Sequence, residues 1–292
     1  MTKVDSSATF RRTEIINDVT SDNFGVVERP LSLLHQLYDN GMLRKFIVLI
    51  ILAALWEGYA RWSNNPLLFP TFIVTVEALV NGIISGALIK ATAASVTLLL
   101  QGYIAGLLIA AVFTALASAT RVGADLLETL TSMFNPLPSI ALLPLAMIWF
   151  GLGDMSIIFV LIHAVLWAVA LNTHAGFRSV SMTWRMVGRN YGLSGLSYVC
   201  RILIPGAFPS ILTGMKIGWA FAWRTLIAAE LVFGSSSGSG GLGWFIFQNK
   251  NMLDIPNVFA GLLMVILFGL LVENLIFKTV ELRTIKRWGM QF

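Results

Sequence analysis

Residues 188–205 read GRNYGLSGLSYVCRILIP, a basic, glycine-hinged and partly apolar segment without a single acid. It lies between two of the most apolar stretches of the chain, and what surrounds it decides the fold. The 292 residues are 57% hydrophobic and only 12% charged, with a mean hydropathy of +0.78. Soluble domains carry about a quarter charged residues, so this chain has too few polar groups to coat one. Composition therefore points to a membrane protein, and the membrane-length apolar runs described next make it all-α and polytopic. A segment such as 188–205 must then be a structured connector between spans.

Working outward from it, six segments meet the requirement of about 20 predominantly apolar residues. They are 43–62, 93–119, 130–152, 156–176, 208–233 and 258–280. The third contains Pro136, Pro138 and Pro144, which a span tolerates only where neighbours satisfy the freed carbonyls, so it is expected to be irregular and buried in protein. Segment 71–88 is amphipathic and is expected to lie on the membrane surface. Residues 1–42 are polar and mixed in charge and are expected to form a cytoplasmic tail. Within it, Leu31, Leu34 and Tyr38 share one face of an interfacial helix. The resulting organisation is a tail over 1–42, a six-span domain over 43–282 with its connector at about 177–205, and a basic tail over 283–292.

Six spans place both termini on one side. That side then holds Arg44, Lys45, Arg121, Arg178, Arg185, Arg189, Arg201, Lys278, Arg283, Lys286 and Arg287, whereas the other holds Arg61, Lys90 and Lys250. Lys and Arg accumulate in cytoplasmic loops, so the connector and both termini are expected in the cytoplasm of a bacterial inner membrane. Nucleic acid is a poor partner for basic residues that alternate with membrane-length apolar runs. One cysteine and three histidines argue against a disulfide and against a metal centre.

The connector itself has a functional pattern. Leu193, Leu196, Cys200 and Leu203 fall at helical spacing and form one apolar stripe, with Gly192 as a hinge before it and Pro205 as its expected end. Arg189, Tyr191 and Arg201 flank that stripe. Such an element suits a groove on another protein, or equally a surface of anionic lipid. The chain carries no GxxxxGK[ST] phosphate loop, so energy from ATP would have to arrive through a protein contact.

Ionisable groups inside spans are costly and are default functional candidates. Lys216, Arg224, Glu230, Glu273, His163 and His174 qualify by position. Lys216 can snorkel, Glu273 has Lys278 nearby, and a histidine on an apolar helix is more often a packing residue. Arg224 and Glu230 are the best pathway or gate candidates, although they could instead pair with each other. Asn135, Pro136 and Pro138 join them, because broken helices in transporters expose backbone groups to a pathway. His163 completes the set. Trp149, Trp167, Trp219 and Trp223 read as packing or interface aromatics. The tract GSSSGSGGLG is expected to be a gate or a contact for a binding protein.

Several of these stretches resemble permease subunits of binding-protein-dependent ABC importers, of the nitrate/sulfonate/taurine type. Their cytoplasmic EAA loop is written EAA, three residues, Gly, nine residues, Ile-x-Leu-Pro. Gly192 is followed here by nine residues and then by Ile202, Leu203, Ile204 and Pro205, with Ile in place of Leu. Met186, Val187 and Gly188 stand where the EAA triplet would be, a departure that removes its acid. NPLPSIALLPLAMIWFGLGDMS, IPGAFPSILTGMKIGWAFAW with the nearby AAEL, SGSGGLGWFIF and VELRTIKRW resemble the family's third span, fifth span, following loop and C-terminal end. The likeness covers about residues 45–290. It implies a type I importer permease fold with six transmembrane helices, with residues 189–203 as the coupling helix. It also implies a second copy of the chain, two ATPase subunits that hold ATP and Mg, and a periplasmic or lipid-anchored solute-binding protein. No cofactor and no catalysis would belong to this chain. Its cargo would be a small anion such as a sulfonate, taurine, nitrate or an aromatic carboxylate. A secondary transporter driven by an ion gradient is the main rival, and it predicts inverted repeats with midplane acids.

Overall fold

A computed structural model describes residues 41–233 and 240–287, and all regular structure among them is helical. The expected helix around Leu31, Leu34 and Tyr38 and most of the Gly-Ser tract lie outside the described residues. The chain divides after Leu52 into two units. Residues 41–52 are the first half of helix α1 (Gly41–Ser63), which covers the first apolar segment. The second unit begins at Ala53 and contains everything that follows.

Four helices of this unit are long and apolar enough to cross a membrane: Ala87–Ala119, Asp154–Ser179, Gly195–Val232 and Ile255–Lys286. A fifth crossing results if the pair Arg121–Phe134 and Ser139–Phe150 counts as one, and that pair is bent by 88°. The first of these helices is α3 (Ala87–Ala119), preceded by the short α2 (Phe72–Ile84). At 13 residues α2 measures about 20 Å, well short of a hydrocarbon core of about 30 Å, so it is too short to cross as a single helix. Thr71 caps it by accepting from the Val74 amide at 3.3 Å.

The bend falls where the prolines predict it. Helix α4 (Arg121–Phe134) ends before Pro136, and Pro138 precedes a 3-10 turn, Ser139–Leu142, that leads into α5 (Leu143–Phe150). Pro136 and Pro138 cannot donate to a helix ladder, and each restricts the residue before it, so the segment turns instead of continuing.

Helix α6 (Asp154–Ser179) is the buried centre, packed between α3 and α9 (Ile204–Phe233). In lipid the hydrophobic effect does not draw helices together, so close backbone approach has to do so. Both partners supply it with glycine. A methyl carbon at Gly102 or Gly106 of α3 would stand 2.5 Å from Leu161 Cβ or 2.8 Å from Val165 Cβ. One at Gly214 of α9 would stand 2.8 Å from Asn172 Cβ. Gly106→Leu is therefore expected to destabilise by about 2 kcal/mol through overpacking, measured as a lower unfolding midpoint in detergent.

The structure corrects the expected end of the connector helix at Pro205. The chain runs without a break from α8 (Gly195–Tyr198) through a π turn, Val199–Leu203, into α9. A wider i→i+5 turn removes the need for an amide at Pro205 and relieves the ring's clash with the preceding carbonyls. The predicted stripe does not form, because Leu193 lies in the turn before α8 begins and the wide turn separates Cys200 and Leu203 from it. Leu203 is buried and Leu193 half-buried, whereas Leu196 and Cys200 are exposed.

A candidate translocation site and its connector

Five of the predicted pathway residues line one cavity of about 250 Å³: Asn135, Pro136, Pro138, His163 and Arg224. They come from three elements, the bend after α4, the first half of α6 and the second half of α9. His163 lies nine residues from Asp154 at one end of α6, and Arg224 nine residues from Phe233 at the corresponding end of α9. At 1.5 Å per residue both sit about 13 Å from those ends, which places them at matching depth within their helices.

The cavity's walls are polar at some points and aromatic at others. Ser139 Oγ is 3.1 Å from His163 Nδ1, while His163 Nε2 is buried with no hydrogen-bond partner. Trp167, one turn further along α6, stacks on Phe134 with centroids 5.5 Å apart and an interplanar angle of 9°. Its Nε1 is also buried and unpartnered. Arg224 donates from Nε to the Ala220 carbonyl at 3.0 Å and holds its guanidinium 5.4 Å from the Phe221 ring centroid.

A second cavity, of about 700 Å³, continues toward the connector end of α6. Asn135 and Pro136 line both cavities, so the bend is the partition between them. The second is lined further by Glu128, Thr131, His174 and Arg178. His163, Trp167, His174 and Arg178 are spaced by four, seven and four positions, so they follow one face of α6. From the sequence Trp167 reads as a packing or interface aromatic, and its buried, partnerless indole is visible only in three dimensions.

Glu230 lies elsewhere. It is 4% exposed and accepts from Ser95 Oγ at 2.7 and 2.8 Å and from the Gly243 amide at 2.8 Å. Ser95 Oγ in turn accepts from the Leu242 amide at 2.8 Å. The pair occupies the N-terminus of α10 (Leu242–Asn251), where the first-turn amides have no intrahelical partner. A methyl carbon at Gly241 would come within 2.1 Å of Glu230 Oε1, so only glycine fits beside the carboxyl. An Arg224–Glu230 pair is not formed. Lys216 also has a structural partner, Glu281, at 2.6 Å.

The connector is built from α7 (Met182–Asn190) and a turn at Gly192. The turn is a Schellman closure: the Leu193 amide reaches the Gly188 carbonyl at 3.0 Å and the Gly192 amide the Arg189 carbonyl at 2.9 Å. Gly192 has φ +69°, a left-handed conformation that favours glycine. Arg185 ties the connector to the end of α6, donating to the Phe177 carbonyl at 2.5 Å and the Val180 carbonyl at 3.0 Å. Gly188, at the last position of the departed EAA triplet, packs so closely that a methyl carbon would stand 2.8 Å from Ile202 Cγ1. Arg189, Tyr191, Leu196, Cys200 and Arg201 are exposed on the remaining surface, together with Trp184 and Met186.

Crossing helices, a proline-broken span, cavities at depth and an anchored connector define a multi-span membrane permease. The chain belongs to the family of binding-protein-dependent transport system inner membrane components, whose model matches residues 102–281. It is therefore an ABC importer permease of the type I fold. It is similar to the taurine transport system permease protein TauC of Escherichia coli, 28% identical over 229 residues that cover 77% of this chain and 82% of the relative. The nitrate import permease protein NrtB of Synechocystis is 27% identical over 85% of this chain and 90% of its own length. A Methanocaldococcus jannaschii chain described as an ABC transporter permease is 30% identical, with 75% and 83% covered.

Proposed function

We propose that this permease subunit forms the membrane passage of an ATP-driven importer for a small anion. It works as a pair of identical chains with two ATPase subunits docked at the connector and a solute-binding protein on the opposite face. Both termini are cytoplasmic, in line with the Lys and Arg asymmetry. The observation that carries this reading is the pair of cavities meeting at the Asn135–Pro136 bend, with Arg224 in the wall of one and Arg178 in the wall of the other. Relatives named for taurine and nitrate transport support the anionic cargo, since both solutes bear an oxyanion group. An arginine is costly inside a membrane unless something offsets its charge, and a passing anion does so.

ATPase closure would move the connector, and Arg185 with the continuous helix Gly195–Val232 would carry that motion to the bend. The test is reconstitution in sealed vesicles. The chain alone is expected to give no uphill uptake of taurine or nitrate. Addition of its ATPase, ATP and its binding protein is expected to restore uptake. Accumulation by the chain alone on an ion gradient would replace this function with that of a secondary transporter.

A further inference from the structure

We infer that the cavity between His163, Trp167 and Arg224 is a resident binding site that holds an organic sulfonate or carboxylate inside the permease, in preference to a bare inorganic anion. The inference deepens the importer reading by giving the permease its own selectivity.

The polar groups in the wall are suited to donate hydrogen bonds. Arg224 brings a permanent cation, and the indole of Trp167 is a donor only. When the Ser139 hydroxyl donates to His163 Nδ1, the ring proton sits on Nε2, which makes it a second unpartnered ring donor. Asn135, Ser139 and Thr225 add amide and hydroxyl donors, and no acid lines the cavity. Trp167 is 7% exposed, yet its Nε1 has no partner within the chain. Buried donors are nearly always satisfied, and these two ring nitrogens are closed off in this conformation, so they complete the set only where a bound acceptor opens the wall around them. A cavity with donors, a cation and no carboxylate selects an anion.

The remaining wall separates organic from inorganic cargo. Pro136, Pro138, Ile140, Ala164 and Phe221 present apolar surface. At about 30 Å³ per water molecule, 250 Å³ is far more than a four-atom oxyanion fills. Nitrate would leave the apolar surface facing empty or water-filled space. A sulfonate or carboxylate with a ring or short chain would place its anionic end on the donors and its body against that surface.

The experiment uses the full chain in nanodiscs, with and without its ATPase, and three radiolabelled probes: benzenesulfonate, nitrate and benzylammonium. Benzenesulfonate is expected to bind saturably, once per chain and at least tenfold more tightly than nitrate, with no binding of benzylammonium. Arg224→Gln is expected to weaken benzenesulfonate at least tenfold, and Trp167→Phe at least threefold. Arg224→Lys is expected to recover part of the loss. Arg224 is exposed on α9, so its variants are expected to fold, and a symmetric size-exclusion peak with unchanged helical content checks this for all of them. Absence of saturable benzenesulfonate binding, binding unchanged in both Arg224→Gln and Trp167→Phe, or nitrate bound as tightly would each overturn the inference. Failure of the ATPase to co-purify would instead sink the importer reading, while the binding result still decides the site.

Discussion

Glu230→Ala is expected to lower stability by about 4 kcal/mol, or about 10 °C in unfolding midpoint for a chain of this size, and to abolish transport. The carboxyl accepts from Ser95 Oγ and from the Gly243 amide, and Ser95 accepts from the Leu242 amide. Alanine leaves the Ser95 hydroxyl and the Gly243 amide buried without acceptors, at about 1–3 kcal/mol each, and opens a hole beside Gly241. Glu230→Gln keeps the volume and one acceptor, so about half the loss is expected. The loss should be local at first. Hydrogen exchange is expected to rise across Leu242–Asn251 before it rises across Asp154–Ser179, because the carboxyl satisfies the first turn of α10 and nothing in α6. An Ala variant as stable as the wild type, with α10 still protected, would show that this junction is not what holds α10 in place.

What the sequence disclosed and what it withheld divide along physical lines. Hydropathy located four of the six expected spans as single crossing helices, and a fifth if the bent pair counts as one, because bilayer thickness imposes a length on every crossing. The helices found extend the predicted segments at their ends, as Ala87–Ala119 does for 93–119 and Asp154–Ser179 for 156–176. The proline cluster located the bend for an equally local reason, since a missing amide acts on its own turn. Pro205 misled for the complementary reason. Its effect depends on the turn before it, and a π turn lets the helix pass through. Glu230 was legible as an intramembrane acid, but its role was not. Ser95 is 135 positions away, and no periodicity links the two. Trp167 was lost to a base rate: a tryptophan in a span usually packs, and only the three-dimensional surroundings of Nε1 show that this one packs with its donor unspent. Asn135, His163 and Arg224 are each candidates on local grounds alone, and their convergence on one cavity is a fact of topology.

Leu196→Arg is expected to reduce ATP-dependent uptake at least tenfold while leaving folding almost untouched. Leu196 is 79% exposed, and substitutions at such positions usually change stability by less than about 0.5 kcal/mol. Its exposure is unusual beside Leu203, which the π turn rotates into the core. A leucine left out of its own protein's core, between the exposed Tyr191 and Cys200, has the character of an interface anchor. Placing an unpaired cation in a desolvated groove costs several kcal/mol, enough to undo docking. The matched control is Gly192→Ala, which meets no neighbour within 4 Å and pays only the left-handed backbone penalty of about 1 kcal/mol. Uptake is expected to fall less in that variant than in Leu196→Arg, and ATPase co-purification to survive in it. Wild-type uptake by Leu196→Arg would remove Leu196 from the proposed ATPase contact and leave Trp184 and Met186 on α7 as its exposed apolar candidates. A fold lost in Leu196→Arg would mean that this leucine packs against its own chain after all.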